Sequence, residues 1–134
     1  MSIFAHPHFL RRVLWADAAA GAVSALLHML GAQALAPLLG LPQGLIALSG
    51  VALIVFVAFA AWLAFCDPVP RGPASVLIAA NFAWVGGCAV VFLTHLPTAT
   101  PLGEAYLLAH AAAVAVLAEL EWFGLRQVPR LGWA

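Results

Sequence analysis

Four ionisable side chains stand at matched positions in two apolar stretches of the sequence. Asp17 and His28 are eleven residues apart near one end of the chain, and His110 and Glu121 are eleven residues apart near the other. At about 100° and 1.5 Å per residue of α-helix, each pair shares one helical face with roughly 16 Å between its members. Ionisable groups inside a membrane span are costly unless they are paired or hydrated, so these four are candidate functional residues.

The acidic members predict a polar layer near one membrane surface. If the first and last helices run in opposite directions, Asp17 and Glu121 lie at similar depth, and Asn81 in the third helix joins them. We expect Asp17 to face Asn81 or the end of the fourth helix. The alternatives are purely structural: an Asp17–Arg12 bond, and a Glu121–Arg126 pair at the interface.

The imidazoles predict a second level in the outer half of the bundle. His28 and His110 fall at the same depth on neighbouring helices, and His95 ends the third helix on that side. Two facing imidazoles could hold haem b, and three could hold zinc or copper. No cofactor is the main expectation, with haem b or a transition metal as the alternative. The sequence has no H-E-x-x-H, G-x-S-x-G or P-loop motif, which disfavours an enzyme.

Other polar residues on these helices have simpler interpretations. Glu119 points about 180° away from His110, so it predicts a second interface, a side chain that snorkels to the membrane surface, or a homo-oligomer or larger membrane complex. Small and hydroxyl residues on a helical stripe allow close helix packing, and we interpret four positions in this way: Gly21, Ser24, Gly31 and Ser49.

Composition identifies the elements that must position these residues. Hydrophobic residues make up 66% of the 134-residue chain and charged residues only 7%, so lipid must cover much of the surface. The prolines fall between four apolar runs, each long enough to cross the hydrocarbon core. We predict an all-α, single-domain, up-down bundle of four transmembrane helices at about residues 9–36, 44–66, 74–96 and 102–128.

The arginines predict the orientation of this bundle. All five lie on the side of the two termini and of the second connection, a bias that predicts cytoplasmic N and C termini. Five acidic residues balance them, which disfavours nucleic acid as a partner and leaves the lipid bilayer as the expected one. Asp17 and His28 would interrupt the apolar core of a signal peptide, so we expect the first helix to be retained.

Three segments support a resemblance. "VLWADAAAG", "NFAWV" and "LAELEWFGLRQ" resemble segments of small bacterial four-helix integral membrane proteins of uncharacterised function. This resemblance implies a multi-pass protein of the bacterial inner membrane and implies no activity.

The expected function is a non-catalytic one. The polar stripe inside the bundle is interpreted as packing and partner contact in an accessory or structural membrane protein. One alternative is a small transporter or proton-handling protein, similar in size to small multidrug-resistance exporters. The other is the histidine-ligated haem or metal site in the outer half of the bundle.

Overall fold

The computed structural model describes residues 8–128 and is all-helical over that range. Its four helices are long and apolar enough to cross a membrane. They are α1 (Phe9–Leu39), α2 (Gln43–Phe65), α3 (Arg71–His95) and α4 (Pro101–Gln127). Each bound lies within three residues of the expected one. Arg130, one of the five arginines, lies outside the described residues.

The two largest departures are three residues each: α1 continues through Pro37 to Leu39 instead of ending at residue 36, and α3 begins at Arg71 instead of residue 74. Pro37 has no N–H to donate to the carbonyl of Gln33, so one hydrogen bond of the helix is lost, yet the backbone stays helical to Leu39. The helix ends at Gly40, whose φ of 66° is left-handed and whose N–H donates to the carbonyl of Ala36. Pro73 likewise lies in the first turn of α3, where backbone N–H groups have no intrahelical partner.

Contacts at the helix ends define how the helices meet. At one end, which we call the arginine end, Arg11 donates to the carbonyl of Ala64 at 3.2 Å and pairs with Asp67 at 3.3 Å. Arg71 at the start of α3 donates to the carbonyl of Leu125 at 2.7 Å, near the end of α4. The start of α1, the end of α2, the start of α3 and the end of α4 therefore lie at the same end.

The loops at the opposite end also meet. The backbone N–H of Thr100 donates to the carbonyl of Leu39 at 3.1 Å, and the Thr100 hydroxyl donates to the carbonyl of Leu38 at 2.6 Å. Among the helix pairs, α1 packs most extensively with α2, and α3 packs with α4. The α2–α3 contact is the narrowest of those present.

Apolar side chains cover the outer surface. Large hydrophobic residues stand exposed along every helix, including Val23, Val55, Leu93 and Val116. Trp15, Trp62 and Trp122 are each about half exposed and lie near the arginine end. Buried apolar clusters fill both ends of the bundle, one around Leu14, Leu63 and Leu77, the other around Leu39, Ile46 and Leu107. The buried polar side chains lie between them.

Candidate functional site

Asn81 joins the two acids predicted for the polar layer. Its amide nitrogen donates to Asp17 Oδ2 at 3.2 Å and to Glu121 Oε2 at 3.0 Å. The three residues come from α3, α1 and α4, and each is less than a tenth exposed. The structure thus brings together all three residues of the predicted layer, which we call the acid layer.

The acid layer has no counter-cation among the described side chains. Glu121 is fully buried, and its Oε1 atom has no hydrogen-bond partner within residues 8–128. Arg12 is exposed at the arginine end, and the Arg126 guanidinium lies 5.2 Å from the centre of the Trp122 ring instead of pairing with Glu121. Two carboxyl groups therefore converge on one neutral amide.

A cavity of about 60 Å³ begins at the acid layer and reaches toward the histidines. All four helices contribute to its wall. Asp17 and Asn81 line one part of it, Trp84 and His110 line another, and Glu121 does not line it. Because roughly 10–15 Å³ suffices for one water molecule when the site is polar, this cavity can hold several.

His28 is held by hydrogen bonds at both ring nitrogens. The hydroxyl of Ser49 donates to the carbonyl of Ile46 at 2.7 Å, so it accepts from His28 Nδ1, which lies 2.8 Å away. The hydroxyl of Tyr106 donates to His28 Nε2. This pattern corresponds to a neutral imidazole with its proton on Nδ1.

His110 lies beside His28, as predicted from their depths. Their ring centres are 6.1 Å apart, and the Tyr106 ring stacks on His110 at 5.7 Å. The indole N–H of Trp84 donates to His110 Nε2 at 3.1 Å, so this nitrogen is an acceptor and the ring proton is on Nδ1. We call these five residues the histidine cluster: His28, Ser49, Trp84, Tyr106 and His110.

These hydrogen bonds bear on the haem and metal alternatives. Both nitrogens of His28 and Nε2 of His110 already have protein partners, so ligation would require these bonds to break. His95 does not join the cluster; it lies at the end of α3 beside Thr94 and the carbonyl of Val91. Within the described part of the chain, no group of three His, Cys, Asp or Glu side chains is placed to hold a metal ion.

Glu119 lies apart from both clusters. Its side chain is exposed on the outer face of α4, two residues before the fully buried Glu121. The second interface that its position predicts stays a prediction.

Three members of the histidine cluster were not among the predicted ligand residues. The sequence indicates a packing role for Ser49, and Trp84 and Tyr106 look like ordinary aromatic residues of apolar helices. The available signal was their spacing: Tyr106 precedes His110 by four residues, which places both on one face of α4. Comparison of the chain with known protein families, with curated proteins and with solved structures finds no significant match.

Proposed function

We propose that the protein takes up and releases protons inside a membrane, at the carboxyl groups of Asp17 and Glu121. The single observation that carries this proposal is the convergence of two buried carboxyl groups on Asn81 without a counter-cation. Two ionised carboxylates side by side in an apolar layer would repel each other and lack solvation. The pair therefore holds at least one proton, which it can exchange.

The cavity supplies the route for that exchange. Asp17 lines it and Glu121 does not, so Asp17 is the group that meets water or an incoming ligand. Glu121 lies away from the cavity, so the two carboxyl groups share the same chemistry but have different environments. Such a difference in environment is how proteins divide roles between paired carboxyl groups. His110 lines the far part of the cavity.

The location belongs to the same proposal. The arginine bias supports a cytoplasmic arginine end, and the three exposed tryptophans near that end fit an interfacial aromatic belt. The resemblance to small bacterial four-helix proteins favours the bacterial inner membrane. Both termini are then cytoplasmic.

Labelling with dicyclohexylcarbodiimide tests the proposal, because this apolar reagent modifies protonated carboxyl groups in apolar surroundings. The purified full chain is labelled in detergent over a range of pH, in a Glu119→Gln background that removes the exposed acid of α4. Mass spectrometry should locate the adduct on Asp17 and show that it declines as pH rises. Absence of label at Asp17 at every pH, in protein that is folded, would refute the proposal.

A structural role for the acid layer is the second candidate. It is favoured by the position of Asn81, whose two hydrogen bonds tie α1, α3 and α4 together. Under this interpretation the protein is a non-catalytic accessory protein, and Asp17→Asn lowers thermal stability while carbodiimide leaves the wild-type site unmodified.

A further inference from the structure

The wall of the central cavity combines an acid with aromatic and aliphatic groups. Asp17 is the one acidic side chain that lines it, and Asn81 and Ser24 add neutral polar groups. The rings of Phe56 and Trp84 form part of the wall, and most of the rest is aliphatic: Leu53, Val57, Ala60, Val114 and Leu117. This mixture of one fixed acid, aromatic faces and apolar surface is suited to a small organic cation.

Charge excludes an anion from this cavity. None of its lining residues is an arginine or a lysine. His110 is the one histidine among these lining residues. Its Nε2 accepts a hydrogen bond from Trp84, so the ring is neutral and supplies no positive charge. An anion would meet the Asp17 carboxyl without a compensating positive charge, whereas a cation would find in Asp17 the counter-ion it needs.

The available acceptors match an ammonium group better than a bare alkali ion. Asn81 uses its amide nitrogen for both carboxyl groups, so its amide oxygen is the acceptor that it can offer a ligand. An ammonium group needs only a few acceptors and can turn an alkyl face toward Phe56. A dehydrated alkali ion needs a fuller shell of oxygen ligands than this largely aliphatic wall provides.

Size limits the ligand. A cavity of roughly 150 Å³ accepts benzene, and this cavity is about 60 Å³. It therefore has room for ammonium or methylammonium and excludes bulky quaternary amines.

We propose that the cavity binds a small ammonium cation, of the size of methylammonium, with Asp17 as its counter-ion. The inference rests on the proposed function, because the cation replaces the proton on Asp17: protonated Asp17 and the ammonium ion give an ion pair and one released proton. Charge in the cavity is unchanged by this exchange. Proton release and cation binding at Asp17 are thus coupled.

Protection from carbodiimide tests the proposal with methylammonium as the probe. Methylammonium chloride should reduce the total modification of Asp17 in the Glu119→Gln protein, counted as the carbodiimide adduct plus the methylamide that forms when methylamine captures the activated carboxyl. Tetramethylammonium chloride at equal ionic strength should not. Absence of protection by methylammonium would overturn the cation site while the proposed proton exchange stands, since that requires only the label itself. Equal protection by tetramethylammonium or by K⁺ would also overturn it.

A variant of the cavity wall gives an independent test that keeps Asp17. Phe56→Leu removes one aromatic face, and we expect protection to require about three- to tenfold more methylammonium. Phe65→Leu is the matched control, because Phe65 is on the same helix, is 72% exposed and does not line the cavity. An unchanged protection curve for Phe56→Leu, with normal elution on size exclusion, would contradict the assignment.

Discussion

The Glu121 side chain has two carboxyl oxygens in different surroundings. Its Oε2 accepts from Asn81, whereas Oε1 is buried without a partner among the described residues. A glutamine at this position keeps the acceptor for Asn81 and removes the second acid from the layer. An alanine leaves the amide of Asn81 without this acceptor and leaves a void where the side chain was.

We therefore predict opposite outcomes for two substitutions of Glu121. Glu121→Gln should be within about 1 kcal/mol of wild type or more stable, because it ends the crowding of two carboxyl groups. Glu121→Ala should lose about 2–4 kcal/mol, since it opens a void and strands a buried donor. Thermal unfolding in detergent measures both. A strong loss for Glu121→Gln would mean that the acid itself, with a specific proton, stabilises the bundle.

The sequence predicts the depth of the polar residues along the helices, but it does not predict all of their contact partners. Helical rise alone predicts that Asp17 and Glu121 lie level, and that His28 and His110 lie level, and each pair is together in the structure. Which side chains complete the contacts depends on how each helix is rotated. Because α4 is rich in alanine nearly all round, its inner face could not be recognised from hydrophobicity, and Tyr106 was missed for this reason.

At the level of the elements, prolines predict the four helices well and their ends less well. The sequence expectation ends α1 before Pro37, whereas the helix continues to the glycine that can take a left-handed conformation. Pro37 removes one hydrogen-bond donor without stopping the helix there, so this proline marks the region of the helix end and not its last residue. The junction between the end of α1 and the start of α4 is set by contacts that no local pattern reveals.

That junction depends on Gly103. A Cβ atom there would lie 1.9 Å from the carbonyl oxygen of Leu39, which is backbone and cannot turn aside. We predict that Gly103→Ala forces α1 and α4 apart and costs at least about 1–3 kcal/mol. Gly44→Ala is the control, since a Cβ on Gly44 has open space around it, and its stability should change by less than about 0.5 kcal/mol or rise. Equal melting temperatures for the two variants would show that the helices do not meet as described.

At the level of the whole molecule, the two ends of the bundle differ in charge and in how they are joined. At the arginine end, Arg11 and Arg71 each link the start of one helix to the region where another ends. The opposite end is joined through Thr100, whose hydroxyl and N–H hold the end of α1. Arg11 and Arg71 thus connect helix ends, and the positive-inside rule predicts that the end where they lie is cytoplasmic.

This asymmetry gives a prediction about orientation that single-cysteine labelling can check. In a Cys66→Ala, Cys88→Ala background, a cysteine at Gln43 should react with a membrane-impermeant maleimide added outside the cell, as should one at Thr98. A cysteine at Gly72, where the added side chain meets nothing within 4 Å, should react only after the membrane is opened. This expected pattern of labelling follows from the positive-inside rule, which predicts that the arginine end is in the cytoplasm. Labelling of Gly72→Cys from outside would invert the orientation, and with it the side of the membrane nearer to the acid layer.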